Sequence, residues 1–110
     1  MSRPSEAPGT PRVDIHSISR AGQELYREKV RCQGEMYIES GARLFSYDFD
    51  IETIQGLVLT VEGGSTDSYF ATKWVHNKGM KDNWATVWVW DQDGNQVSGS
   101  VWVNFIADGE

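Results

Sequence analysis

Three groups of side chains in this sequence have types and spacings that could do chemistry. Ser46, Asp48, Asp50 and Glu52 alternate with Phe45, Tyr47, Phe49 and Ile51. On a strand, the acids would form a row on one face and the aromatic set would turn toward the core. Acids two apart on a strand lie about 7 Å from each other, within the range at which paired carboxylates carry out inverting glycoside hydrolysis. A solvated acidic face that discourages edge pairing needs nothing further, and it is the expected reading. Asp91, Asp93 and Asn95 also alternate and could offer oxygens to calcium. An EF-hand loop, however, needs glycine at its sixth position and an acid at its twelfth. Counted from Asp91, the glycine comes fourth at Gly94, the sixth is Gln96 and the twelfth is Trp102. A plain turn is expected. The third group is the indoles of Trp84, Trp88, Trp90 and Trp102, four of the five tryptophans in the chain.

The remaining reactive residues are scattered. His16 and His76 lack a metal-binding spacing, and the single Cys32 can form neither an internal disulfide nor a zinc cluster. Its expected place is in the core, as a small apolar residue. Gly63-Gly64 is followed by neither the lysine nor the helix of a phosphate loop. No segment has the form of a nucleophile elbow. The expectation is a protein without catalytic residues, cofactor or bound metal.

The elements that position these residues repeat with period two. Val13 and Ile15 begin an alternation, and Arg20-Ala21-Gly22 reads as a turn. Residues 24–32 suit either a strand or a helix, with the strand preferred. Residues 36–39 and 44–51 flank Ser40-Gly41-Ala42, which signals a hairpin. Residues 57–61 alternate up to Gly63-Gly64, and residues 69–76 form another strand, on which Trp74 shares a face with Phe70 and is expected in the core. The last strands are residues 84–90 and 96–105. All three prolines fall at Pro4, Pro8 and Pro11. Residues 1–11 are therefore expected to be a disordered tail, and residues 12–110 a single β domain. Seven to eight short strands with glycine-rich turns predict an antiparallel β-sandwich, immunoglobulin-like or jelly-roll-like.

Register turns the tryptophan count into a surface. A three-residue loop Gln92-Asp93-Gly94 pairs Asp91 with Asn95, Val89 with Val97, Val87 with Gly99, Ala85 with Val101 and Trp84 with Trp102. One face then holds Ala85, Val87 and Val89 against Val97, Val101 and Val103. The two-residue alternative sets Val89 against Ser98, and register follows the hydrophobic pattern. The opposite face carries Trp84, Thr86, Trp88 and Trp90 across from Gln96, Ser98, Ser100, Trp102 and Asn104. A buried face would be aliphatic, and a plain solvent face would be Thr, Lys and Glu. Cover by other strands or by a second copy of the chain would account for it. So would an aromatic platform for a sugar, which offers a C–H face and hydroxyls together, or for a protein hot spot.

The segment ATVWVWDQDGNQVSGSVWVNF, residues 85–105, resembles the strand-turn-strand of bacterial immunoglobulin-like domains through Asp91, Gly94, Asn95, Val97 and Gly99. That resemblance implies a β-sandwich used in adhesion, spacing or display, with no active site to carry over. The tryptophans at its strand positions depart from the family pattern.

Length and charge limit the partners. At 110 residues the chain can build one core, and no run reaches the ~20 apolar residues of a membrane helix. The first residues lack the pattern of a signal peptide. Ten basic against sixteen acidic residues give a net charge of -6, and the basic residues are interspersed with acids. Nucleic acid is therefore not an expected partner, and an anionic membrane is disfavoured. The expected function is a non-enzymatic binding or structural module. Its ligand-binding residues would be Trp84, Trp88, Trp90, Trp102, Gln96, Ser98, Ser100 and Asn104, and its partner a glycan or a protein surface, with a homo-oligomer as a further option. The alternative is a membrane-active or virion-type assembly protein that packs this face on lipid or a neighbouring subunit.

Overall fold

A computed structural model describes residues 11–23, 26–61 and 69–110, with backbone alone for 21–23 and 26–28. Seven strands form two antiparallel sheets. In chain order they are β1 (Arg12–Gln23), β2 (Tyr26–Glu39), β3 (Ala42–Phe45), β4 (Ile54–Val61), β5 (Phe70–His76), β6 (Trp84–Trp90) and β7 (Ser100–Gly109). The first sheet has the order β1-β2-β7-β4 and the second β3-β6-β5. The result is the all-β, sandwich-like fold that the period-two alternation predicts. Residues 26–32 are strand, as preferred. The proline-rich segment, apart from Pro11, lies outside the described residues, as do residues 24–25 and the Gly63-Gly64 turn.

Alternation explains the core. Val30, Cys32, Met36 and Ile38 of β2, Val103, Phe105 and Ala107 of β7, and Leu57 of β4 point inward from the first sheet. Ala85, Val87 and Val89 of β6 and Leu44 of β3 meet them from the second. Phe49 packs on Phe105 with ring centroids 4.9 Å apart and planes tilted by 55°, a favourable aromatic geometry. At the edge of the second sheet, Lys73 of β5 registers with core-facing Val87 yet stays exposed. A charge aimed inward on an edge strand discourages pairing with other chains.

One buried amide joins the sheets. Asn83 Oδ1 accepts the Ile54 N–H at 2.7 Å, and its Nδ2 donates to the carbonyls of Ile54 at 2.9 Å and His76 at 3.0 Å. It thereby holds the start of β4 against the end of β5.

Several local expectations need correction. The Arg20-Ala21-Gly22 turn does not form, because β1 continues to Gln23, which pairs with Tyr26. Residues 39–42 do not close a hairpin, since β2 and β3 belong to different sheets. Here the Ser40 hydroxyl accepts the Val89 N–H at 3.0 Å, and the Gly41 N–H reaches the Val87 carbonyl at 2.7 Å. The strand expected over residues 44–51 stops at Phe45 and becomes a 3-10 turn, Ser46–Phe49. A period of three replaces the period of two, so Ser46 and Phe49 are buried while Tyr47 is 60% exposed. Asp48 is used locally, where its carboxylate accepts the Phe45 N–H at 2.8 Å. No acidic row forms.

The final hairpin is half right. Asp91 N–H donates to the Asn95 carbonyl at 2.8 Å, Val97 N–H donates to the Val89 carbonyl at 2.9 Å, and Gly94 has φ 83°. That is the three-residue loop in the expected register. Beyond Val97 the pairing ends. Gly99, at φ 80°, turns the chain into the other sheet, where β7 lies between β2 and β4. The expected pairs Val87 with Gly99, Ala85 with Val101 and Trp84 with Trp102 do not exist. A strand has two hydrogen-bonding edges, and those of β6 are taken by β3 and β5.

Candidate functional site

The expected tryptophan face is thus divided. Trp84, Trp88 and Trp90 lie on the outer face of the second sheet, whereas Trp102, Ser100 and Asn104 belong to β7 in the first. Trp102 meets Tyr37 at 5.0 Å, with Arg12 5.9 Å above its ring. Gln96 and Ser98 are exposed in the linker between the sheets, and Gln96 Oε1 accepts a hydrogen bond from the Ser40 hydroxyl at 2.8 Å. The eight residues do not form one surface.

Another aromatic surface stands in its place. Strand register sets Phe70 beside Trp90, Thr72 beside Trp88, Trp74 beside Thr86 and His76 beside Trp84. On the other side of β6, Arg43 registers with Thr86 and Phe45 with Trp84. All these side chains share the outer face, because Ala85, Val87 and Val89 occupy the inner one. Trp74 is 63% exposed and Phe70 51% exposed, so Trp74 is a surface residue and not the core residue expected. Four indoles do share one face, but the fourth is Trp74, beside Thr86, and not Trp102, which was expected across from Trp84. The missed signal was the strand pairing of β5 with β6.

The face is ordered by its own contacts. Trp90 Nε1 donates to Thr72 Oγ1 at 3.0 Å, which lays its indole across β5. His76 Nε2 and Thr86 Oγ1 share a hydrogen bond of 3.1 Å. The His76 ring stacks on Trp84 at 5.1 Å and 18°, and the Arg43 guanidinium lies 5.6 Å over the same indole. Phe45 touches Trp84 at 6.2 Å and stacks on Tyr47 at 5.1 Å and 10°. Contacting rings thus hold one another in place, while Trp74, Phe70 and Tyr47 stay open to solvent.

The other candidates are occupied by local structure. Asp91 Oδ1 accepts the N–H groups of Asp93 at 2.9 Å and Asn95 at 3.0 Å, so that carboxylate serves the turn. Among the described residues no group of His, Cys, Asp and Glu is arranged to hold a metal ion. Burial pushes the Cys32 thiol up to about 11, and the Asp50 charge acts in the same direction. No helix of the described residues is long and apolar enough to cross a membrane. Compared with protein-family models, with curated proteins and with solved structures, the chain matches none.

Proposed function

We propose that this chain is a non-enzymatic binding module that lays the outer face of the β3-β6-β5 sheet against a glycan. The observation that carries the reading is the exposure of Trp74 and Phe70 within a field of Trp84, Trp88 and Trp90. Solvent-facing aromatic clusters of this kind mark interaction sites. The hydroxyls of Thr72 and Thr86 lie between the rings, and His76 and Arg43 border them. A pyranose ring offers the matching pair of surfaces, an apolar C–H face for an indole and hydroxyls for the polar groups. A sheet holding its rings by stacking and by the Trp90–Thr72 bond is preorganised, which lowers the entropic cost of binding.

A protein partner is the second reading, supported by the Arg43–Trp84 pair, since Trp and Arg dominate protein hot spots. Titration of tryptophan emission with soluble oligosaccharides and with liposomes separates the cases. The glycan reading expects a blue shift with oligosaccharide that Trp74→Ala and Trp88→Ala each remove while the fold is kept. A shift with liposomes alone would replace it with the membrane reading. Emission unmoved by oligosaccharides and liposomes, together with concentration-dependent self-association lost in Trp74→Ala, would replace it with a subunit interface.

A further inference from the structure

The row of rings on the second sheet leads off its edge into a cleft. Trp84, Phe45 and Tyr47 touch in sequence, and Tyr47 forms one wall of a cleft of about 640 Å³. Arg20, Asp50, Ile51, Glu52, Thr53, Lys81 and Glu110 line the rest. That volume is in the range of small-molecule sites. The walls are fixed by backbone: the Glu52 carbonyl accepts both the Ser46 hydroxyl at 2.9 Å and the Asp82 N–H at 2.8 Å. Residues 50–53 cross here from the second sheet to the first, so the cleft is walled where the aromatic row ends.

The wall also contains a polar group that the fold leaves unpaired. Thr53 is 2% exposed, and its hydroxyl is the buried side-chain polar group that lacks a hydrogen-bond partner among the described residues. Buried polar groups are nearly always paired, and an exception calls for an explanation. Here the unpaired hydroxyl belongs to a residue of the cleft wall.

The charges select the ligand class. Arg20 Nη2 lies 3.6 Å from Asp50 Oδ2, and Glu52 and Lys81 are exposed. An anion would meet Asp50, Glu52 and Glu110, whose carboxylate accepts a hydrogen bond from Gln55 at 2.7 Å, and a cation would meet Arg20 and Lys81. A neutral polyol suits both, because each hydroxyl donates to carboxylates and accepts from guanidinium or ammonium groups. We infer that this cleft is the subsite for the terminal sugar of a neutral glycan whose following units lie on the aromatic face, with Tyr47 as the ring between cleft and face. The inference rests on the glycan reading of that face.

The test uses the full chain with cellohexaose, chitohexaose and laminarihexaose by calorimetry, and with amorphous cellulose, chitin and an insoluble β-1,3-glucan by depletion. In the polymers, internal units far outnumber ends. Glu52→Gln and Lys81→Ala, both at exposed positions, are checked for an unchanged thermal midpoint. The expected result is at least fivefold weaker binding of the preferred hexasaccharide with unchanged retention on its polymer, while Trp88→Ala weakens both. Hexasaccharide affinity within twofold of the parent in both cleft variants, with Trp88→Ala still damaging, overturns the subsite and leaves the face. Equal weakening on polymer and hexasaccharide overturns end recognition. Failure of the parent protein to bind any of the probes removes the glycan reading, and the subsite with it.

Discussion

Asn83 offers the sharpest test of how the two sheets are held together. It is 1% exposed and its amide makes three hydrogen bonds, to the N–H and carbonyl of Ile54 and to the carbonyl of His76. Replacing it with alanine does not strand all three partners. The Ile54 carbonyl keeps a long hydrogen bond of 3.4 Å from the Gly79 N–H, and the His76 carbonyl belongs to a half-buried residue at the end of its strand. The Ile54 N–H, on a residue with no exposed surface, loses its partner outright. An unpaired buried donor costs about 1–3 kcal/mol, and the lost packing and weaker carbonyl bonds bring the expected loss to roughly 3 kcal/mol. That is a large fraction of the ~5–15 kcal/mol that holds a small domain folded. Asn83→Asp separates the contributions. Its carboxylate still accepts from Ile54, but an oxygen replaces the donor that faced two carbonyls. Burial and those carbonyls disfavour the charged form, so the introduced carboxyl has a folded-state pKa above its unfolded value. Stability is then greatest below the unfolded pKa and is lost as pH rises through the folded one. Urea titrations followed by tryptophan emission at pH 7 and pH 4 measure both effects. Asn83→Asp should regain stability relative to Asn83→Ala on acidification. A loss below about 1 kcal/mol in Asn83→Ala, or parallel pH dependence in the two variants, would refute the role given to this amide.

Two further outcomes follow from buried and turning residues. Because burial holds the Cys32 thiol up to about 11 while an unfolded thiol ionises near 9, stability should fall as pH rises between these values, by up to ~3 kcal/mol. The pH dependence of unfolding should flatten in Cys32→Ala, and an aromatic disulfide reagent at pH 8 should label Cys32 only in denaturant. At Gly99, φ is 80° and an added Cβ would meet open space, so Gly99→Ala should cost about 1–2 kcal/mol through the backbone alone and Gly99→Asn less. Equal thermal stability of the glycine and alanine forms would show that the crossover does not depend on this conformation.

Features that depend on near neighbours were legible before any fold was known. Alternation of Ala85, Val87 and Val89 with Trp84, Thr86, Trp88 and Trp90 placed valine inward and indole outward. The Asp91–Asn95 loop, with Gly94 in the left-handed region, set its own first rungs. The burial of Cys32 and a plain turn, in place of a calcium loop, at Asp91–Asn95 could also be read. Local pattern also had limits: Phe45 to Ile51 alternates like a strand, yet the 3-10 turn at Ser46–Phe49 buries Ser46 and exposes Tyr47, while Phe49 and Ile51 stay inside as the alternation placed them. Which strands share a sheet was settled only by the folded whole. Each strand has two edges, and a hydrophobic face of β7 would suit pairing with β6 as well as with β2 and β4. The choice is made by the whole core, through contacts between residues far apart in the chain. It moved Trp102 to the opposite sheet, brought Trp74 and Phe70 beside Trp88 and Trp90, and led the ring row to the cleft at Thr53.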